Sequence, residues 1–397
     1  MKILENTLAC SSALIEEWFE HKFSRYTAVL SSSVDMRSSS YKVVPVDVNF
    51  FPAGYNNLGE NAKKKMEKFL RDNLSKYVGG KALVIIESHT RNKKYVDSVI
   101  VLTNTLSGAG FQAEVGMCDI NENCFVTASS GASIEVKALE GTNGKICTVD
   151  GFMPDFVVLN NDLTSEIPGI LTSLKQEVFP STFLGWCNRS KYGYFDMYEK
   201  VVCEFCNEFR VDPWLISALF SYCKEVDFVS KVGIDVVASA VEDLLSKIRE
   251  KFLIYGIKED PYVFIKADNG TYGMGITNVR SGDDVVNMNK KDRNKMRCIK
   301  EGNPIKSVIL QEGVPTDEVF SGSVAEPLLY YIGQDIVGYL YRYNKRRSEY
   351  ENLNVPGCGF IDVEHQIQGN KKHIWAFVSK LAVLASAQEA HKIISGA

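Results

Sequence analysis

"FIKADNGTYGMGI", residues 264–276, is the stretch on which the reading of the fold turns. Lys266 interrupts an apolar, strand-like run, and Gly270, Gly273 and Gly275 follow before the chain turns apolar again. Glycines let backbone N–H groups approach an anion with no Cβ in the way, and a lysine aimed at the same place adds a point charge. The pattern predicts a strand, a glycine loop and a second strand, with Lys266 and the loop holding nucleotide phosphates. It is not a P-loop, where lysine follows the glycines directly. It is not a Rossmann fingerprint either, because no helix obviously starts at the loop. A protein kinase puts its glycine loop before the lysine, the reverse of the order here. A tight hairpin with a solvated lysine is the plain alternative.

The strand "SVILQEGV", 307–314, comes next in the argument. Nucleotide pockets often use such a strand as a hinge, so Gln311, Glu312 and Val314 are candidates for the adenine and ribose end. Glu312 would take a ribose hydroxyl. An ordinary strand would look the same without the glycine loop.

Length and composition bound the rest. A chain of 397 residues exceeds the roughly 250–300 at which one core stops growing, so two or more lobes are expected. Composition is that of a soluble globular protein, 45% hydrophobic and 24% charged. A net charge of −4 argues against a nucleic-acid binder, although a local basic site stays open. No apolar run approaches the ~20 residues a membrane span needs. Glu5 and Asn6 break the short apolar stretch of "MKILENTLACSS", which argues against a signal peptide. Ten cysteines are too few for a disulfide scaffold in so long a chain. Cys203 and Cys206 lie in "YEKVVCEFCNEF", apolar at helical spacing, with no second pair at zinc spacing. Reduced cysteines and a cytoplasmic location are expected.

Strand and helix patterns alternate from about residue 25 to 160. "YKVVPVDVNFF", "KALVIIES" and "DFVVLNND" read as buried strands, and "ENAKKKMEKFLRDNL" as an amphipathic helix with Met66, Phe69, Leu70 and Leu74 on one face. This order predicts an α/β sheet with ligands at the strand ends. Residues 190–255 read as helical: Asp212 and Pro213 look like the cap and first turn of a helix over "VDPWLISALFSYC". In "DVVASAVEDLLSKIREKF", Val237, Val241, Leu244, Leu245, Ile248 and Phe252 form one stripe. Strands dominate from Pro261 to about Phe360, and "HIWAFVSKLAVLASAQEAHKII" reads as a closing helix.

"FIKADNGTYGMGI", "ENLNVPG", "VDVNFFPAGYNNL", "ESHTRN" and "NNDL" resemble motifs of the short bacterial glutamate–cysteine ligases, over about residues 27–360. The resemblance implies an ATP-grasp-like, glutathione-synthetase-like fold with an N-terminal α/β substrate domain. It implies three regions: 1–185 for substrate, 186–260 as a helical connection and 261–397 for the nucleotide. It also implies the reaction: ATP phosphorylates the γ-carboxylate of glutamate, and the amine of cysteine attacks the acyl phosphate. Mg²⁺ would be required. In the related eukaryotic glutathione synthetases an acid-x-Asn pair on an early strand and an acid beside the glycine loop hold magnesium, which here implies Asp47, Asn49 and Asp268. Strand alternation supports the first two independently, since positions two apart share a face and present oxygen ligands. A competing pair is Asn352 and Asn354, which would otherwise belong to a substrate loop. The resemblance further implies Arg342 facing the transferred phosphoryl group, where a guanidinium fork suits phosphate oxygens.

The amino-acid substrate needs cations for its carboxylates and an acid for its amine. Arg37 and Arg91 are candidates for the first and Asp35 or Glu87 for the second. Asn56 and Asn57 would orient the γ-carboxylate, and Asn161 ends a strand where a pocket would open. "GWCNRSKYGYF" follows the family only loosely, lacking an expected histidine and basic residues near Cys187 and Asn188, and Asn269 replaces a smaller residue. A ligase for another amine, or a non-catalytic nucleotide-binding module, would also accommodate these residues.

Overall fold

Lys266 sits on the strand Val263–Ala267, and the glycine loop after it leads into a second strand, Ile276–Val279. In the computed structural model, which describes residues 1–77, 79–88, 92–270, 273–299, 302–367 and 369–396, these two strands belong to a four-stranded antiparallel sheet. Its order is Phe220–Lys224, Ser307–Glu312, Val263–Ala267, Ile276–Val279. The helix Ile234–Tyr255 packs on it and buries all six residues of the expected stripe.

A six-stranded antiparallel sheet forms the centre. It runs Gly359–Asp362, Asp335–Asn344, Ser323–Ile332, Ser31–Ser38, Val43–Asn49, with Glu318–Phe320 beside Ser323–Ile332. Its register sets Asp35 opposite both Asp47 and Leu328, and Glu326 opposite Arg342. The closing helix Lys371–Ser395 lies across it, with Trp375 Nε1 donating to Ser38 Oγ at 3.1 Å. The helix Lys191–Phe209 packs on that closing helix and carries half-buried Cys203 and buried Cys206.

The third sheet holds the parallel strands Gln112–Met117, Lys81–Ile86, Phe156–Asn160 and Glu177–Phe179. Both middle strands are almost wholly buried, as parallel strands covered on two faces must be. The helix Glu60–Asn73 contributes Met66 and Leu70 to this core, with Phe69 only partly covered.

One expectation changes. Asp212 does cap, accepting from Trp214 N–H, but Pro213–Leu215 is a single turn and the chain then enters the strand Phe220–Lys224. Pairing with Ser307–Glu312 overrides the local helix signal. The central sheet takes strands from both 1–185 and 261–397, and Phe220–Lys224 joins the middle stretch to the lysine sheet. Among the described residues no helix is long and apolar enough to cross a membrane.

Candidate active site

The lysine sheet meets the central sheet through Lys266 itself. Its Nζ donates to the Val46 carbonyl at 2.9 Å and to Gln311 Oε1 at 2.6 Å. Val46 precedes Asp47, so this one ammonium joins the late glycine-loop strand to the early strand. Burial pushes the Lys266 pKa down to about 7, with the Asp47 carboxylate opposing.

A cleft of about 590 Å³ opens there, of which only about 50 Å³ is wide enough for water. Val46, Phe264, Ile276 and Val314 form an apolar wall suited to a flat ring. Four acids, Asp35, Asp47, Glu312 and Glu326, line it with four cations, Arg37, Lys191, Lys266 and Arg342, so charge is matched inside. Lys191 bonds Asp47 at 2.7 Å. Burial works against the Asp47 anion, but the Lys191 ammonium prevails and holds its pKa below the usual range. Arg342 meets Asp35 through two nitrogens at 3.0 and 3.1 Å and Glu326 at 2.8 Å. Burial outweighs this attraction at Asp35, whose pKa is raised.

Gly270 and Gly273 of the glycine loop line the cleft. Gly273 and Gly275 have φ of +69° and +63°, a region that L side chains rarely adopt. A Cβ at Gly273 would collide with the Asn354 carbonyl, and one at Gly270 would lie 2.9 Å from the Met274 carbonyl. Asn352 and Asn354 therefore form a second loop against the first, and both line the cleft.

The other expected residues have these surroundings. Glu312 lines the cleft, where its oxygens already accept from Trp214 Nε1 at 3.1 Å, Leu219 N–H at 2.9 Å and Lys42 Nζ at 2.8 Å. Gln311 lies on an interior strand paired on both sides, so its side chain, orienting Lys266, is what serves the site. Asp268 does not face the cleft. One oxygen accepts from Tyr192 N–H at 2.9 Å and the other from Tyr222 Oη at 3.1 Å, which fixes the start of the helix bearing Lys191. Arg37 is no free carboxylate clamp: it bonds Glu326 at 2.8 Å and the carbonyls of Glu349 and Glu351 at 2.7 and 2.6 Å. It tethers the loop that carries Asn352.

Asn56 and Asn57 lie on the turn Tyr55–Asn57, where Asn57 caps the Gly54 carbonyl, and neither lines the cleft. Asn161 turns back on its own chain, accepting from Leu163 N–H at 2.9 Å. Asn49 shares the face of Asp47 by strand alternation but is absent from the cleft wall. Arg91 lies outside the described residues. Sequence reading missed Lys191 and Glu326. Lys191 lies in "GWCNRSKYGYF", which follows the family only loosely, and a glutamate in "EPLLYYIG" gives no local signal.

The donor chemistry of the cleft suits a magnesium-bound triphosphate. Its acids and the amides of Asn352 and Asn354 are hard oxygen donors. The buried Gln311 Nε2 and Arg342 Nε have no hydrogen-bond partner, a cost that an incoming acceptor would relieve. Among the described residues no group of three His, Cys, Asp or Glu is placed to hold a metal ion.

Comparison with known proteins agrees. The glutamate-cysteine ligase family matches residues 5–390. A protein assigned as a gamma-glutamylcysteine synthetase, from Methylobacillus flagellatus KT, superposes with a TM-score of 0.88 at 36% identity, covering 98% of this chain and 96% of that one. D-alanyl-alanine synthetase A from Vibrio cholerae reaches a TM-score of only 0.37 at 8% identity, covering 78% of this chain and 82% of that one. No curated protein matches. Across nearly its whole length, then, the chain belongs to the glutamate–cysteine ligase family, ligases that form a C–N bond and use ATP with Mg²⁺.

Proposed function

We propose that the cleft around Lys266 is where ATP, glutamate and cysteine react to give γ-glutamylcysteine. The triphosphate lies along Lys266 and Lys191 beneath the glycine loop, with adenine against Val46, Phe264, Ile276 and Val314. A γ-carboxylate oxygen of glutamate attacks the terminal phosphorus and ADP leaves. The cysteine amine, having lost its proton, then attacks the acyl carbon and phosphate leaves. Arg342 faces the charge that builds on the transferring phosphoryl oxygens. Bound magnesium would neutralise phosphate charge; Asp47 in the cleft wall is its proposed carboxylate ligand, with phosphate oxygens and water completing the shell. Phosphate drawing on Lys191 would release Asp47 for that role. The closed loops exclude water that would hydrolyse the acyl phosphate. Ten free cysteines suit a reducing cytosol, where we place the enzyme.

The observation that carries this reading is the Lys266 bond to Val46, which sets the glycine loop and Asp47 around one cavity. ADP release should require both glutamate and cysteine when each is varied separately. Lys266→Ala should lower it at least about 100-fold. Turnover with another amine but not cysteine would replace the acceptor. ATP binding with no ADP release under any amino acid would overturn the ligase reading.

A further inference from the structure

A second groove, of about 940 Å³, opens at the end of the strand that carries Arg342. Its walls are the end of the strand Asp335–Asn344, the Lys345–Arg346 pair that follows, the turn at 356–359, and Lys94. No acid lines it, and Lys94, Lys345 and Arg346 have no ion-pair partner among the described residues. The next residue differs: Arg347 is neutralised by Glu351 at 2.6 Å. The open charge is therefore confined to the groove, and cations gathered without a counter-ion favour an anion between them.

The groove's place in the fold says which anion. Lys94 stands in the first turn of the helix Lys93–Gly108, a few residues after the carboxyl end of the parallel strand Lys81–Ile86. That edge is where ligands gather in such sheets, and the helix's free N–H groups add partial positive charge. Groove and cleft also share elements. Arg342 in the cleft is two residues from Asn344 in the groove, roughly 6.6 Å along a strand. The loop that brings Asn352 and Asn354 to the cleft runs on into the groove's turn. There Gly359 makes room for Tyr343, whose ring a Cβ would strike.

We propose that this groove binds the α-carboxylate of glutamate and so delivers its γ-carboxylate to the cleft beside Arg342; the assignment rests on the ligase reading above. Glutamate suits an anchor set apart from the reaction, because its reacting carboxylate lies at the far end of its side chain. Cysteine reacts through the amine next to its carboxylate, so an anchor for it would lie within the cleft.

The test is the double variant Lys345→Ala/Arg346→Ala, at exposed positions where folding is not at stake. KM for glutamate, cysteine and ATP is read from ADP release. Binding of glutamate is compared calorimetrically with 4-aminobutyrate, which lacks the α-carboxylate. The KM for glutamate should rise about tenfold or more, with the other two constants within about twofold, since hydrogen bonds to charged groups are lost for one ligand only. Wild type should prefer glutamate to 4-aminobutyrate, and the variant should lose most of that preference. Arg346→Lys should recover part of it. An unchanged glutamate KM in an active enzyme overturns the groove assignment and leaves the ligase reading standing. A rise confined to cysteine or ATP also overturns it. A wild-type protein that binds ATP but shows no glutamate-dependent ADP release overturns the ligase reading first, and the groove assignment with it.

Discussion

Lys42→Met tests how the strand behind the nucleotide is held. Lys42 and Glu312 are both fully buried, 2.8 Å apart, and the ammonium lies 4.1 Å over the Trp214 ring. Burial pushes the Lys42 pKa down to about 8 against the pull of Glu312. Removing the lysine strands a carboxylate in the interior. Breaking a buried pair from one side costs about 3–5 kcal/mol. Trp214 Nε1 and Leu219 N–H still donate to Glu312, which favours the lower end, about 3 kcal/mol. Against a total stability of about 5–15 kcal/mol that is a large fraction. Urea unfolding followed by tryptophan fluorescence would measure it, with Lys42→Met/Glu312→Gln as the companion. The double variant buries no charge and keeps an acceptor for Trp214, so it should regain about 1–2 kcal/mol. A loss under about 1 kcal/mol, or a double variant no better than the single, would refute the reasoning.

Two further outcomes are expected. Gly273→Ala should raise the KM for ATP, because the new methyl meets the Asn354 carbonyl at a backbone φ of +69°; an unchanged KM would show that the two loops part before nucleotide binds. Lys266, with a pKa near 7, is largely neutral in the free enzyme above that pH. A bound triphosphate favours the ammonium, so the complex holds more protons than the free enzyme, binding takes up a proton, and affinity falls as pH rises. Titration calorimetry in buffers of different ionisation enthalpy would detect the uptake. Lys266→Arg should abolish it, and uptake that persists in that variant would assign the proton elsewhere.

How far each part could be read in advance depended on the range of the interaction behind it. Buried parallel strands show as β-branched runs, and the helix Ile234–Tyr255 shows as a stripe, so both were legible. The signal at Asp212 and Pro213 was genuine but spent on one turn, because the strand partner Ser307–Glu312 lies far along the chain. Asp268, Arg37 and Glu312 all have the right chemistry for ligands, and each is consumed by a neighbour that no spacing rule reveals. Lys191 went unnoticed for the converse reason: its role comes from Asp47, which lies 144 residues away.

By itself the amino-acid order determined which stretches become helix or strand, and that one cation precedes a turn stripped of side chains. Those properties rest on periodicity and steric freedom over a few neighbouring residues. Only the tertiary structure decided which charges face one another. Arg342 finds Asp35 across 307 residues because two strands pair with Ser323–Ile332 in one register, and shifting either by a single residue would turn its side chain to the opposite face of the sheet.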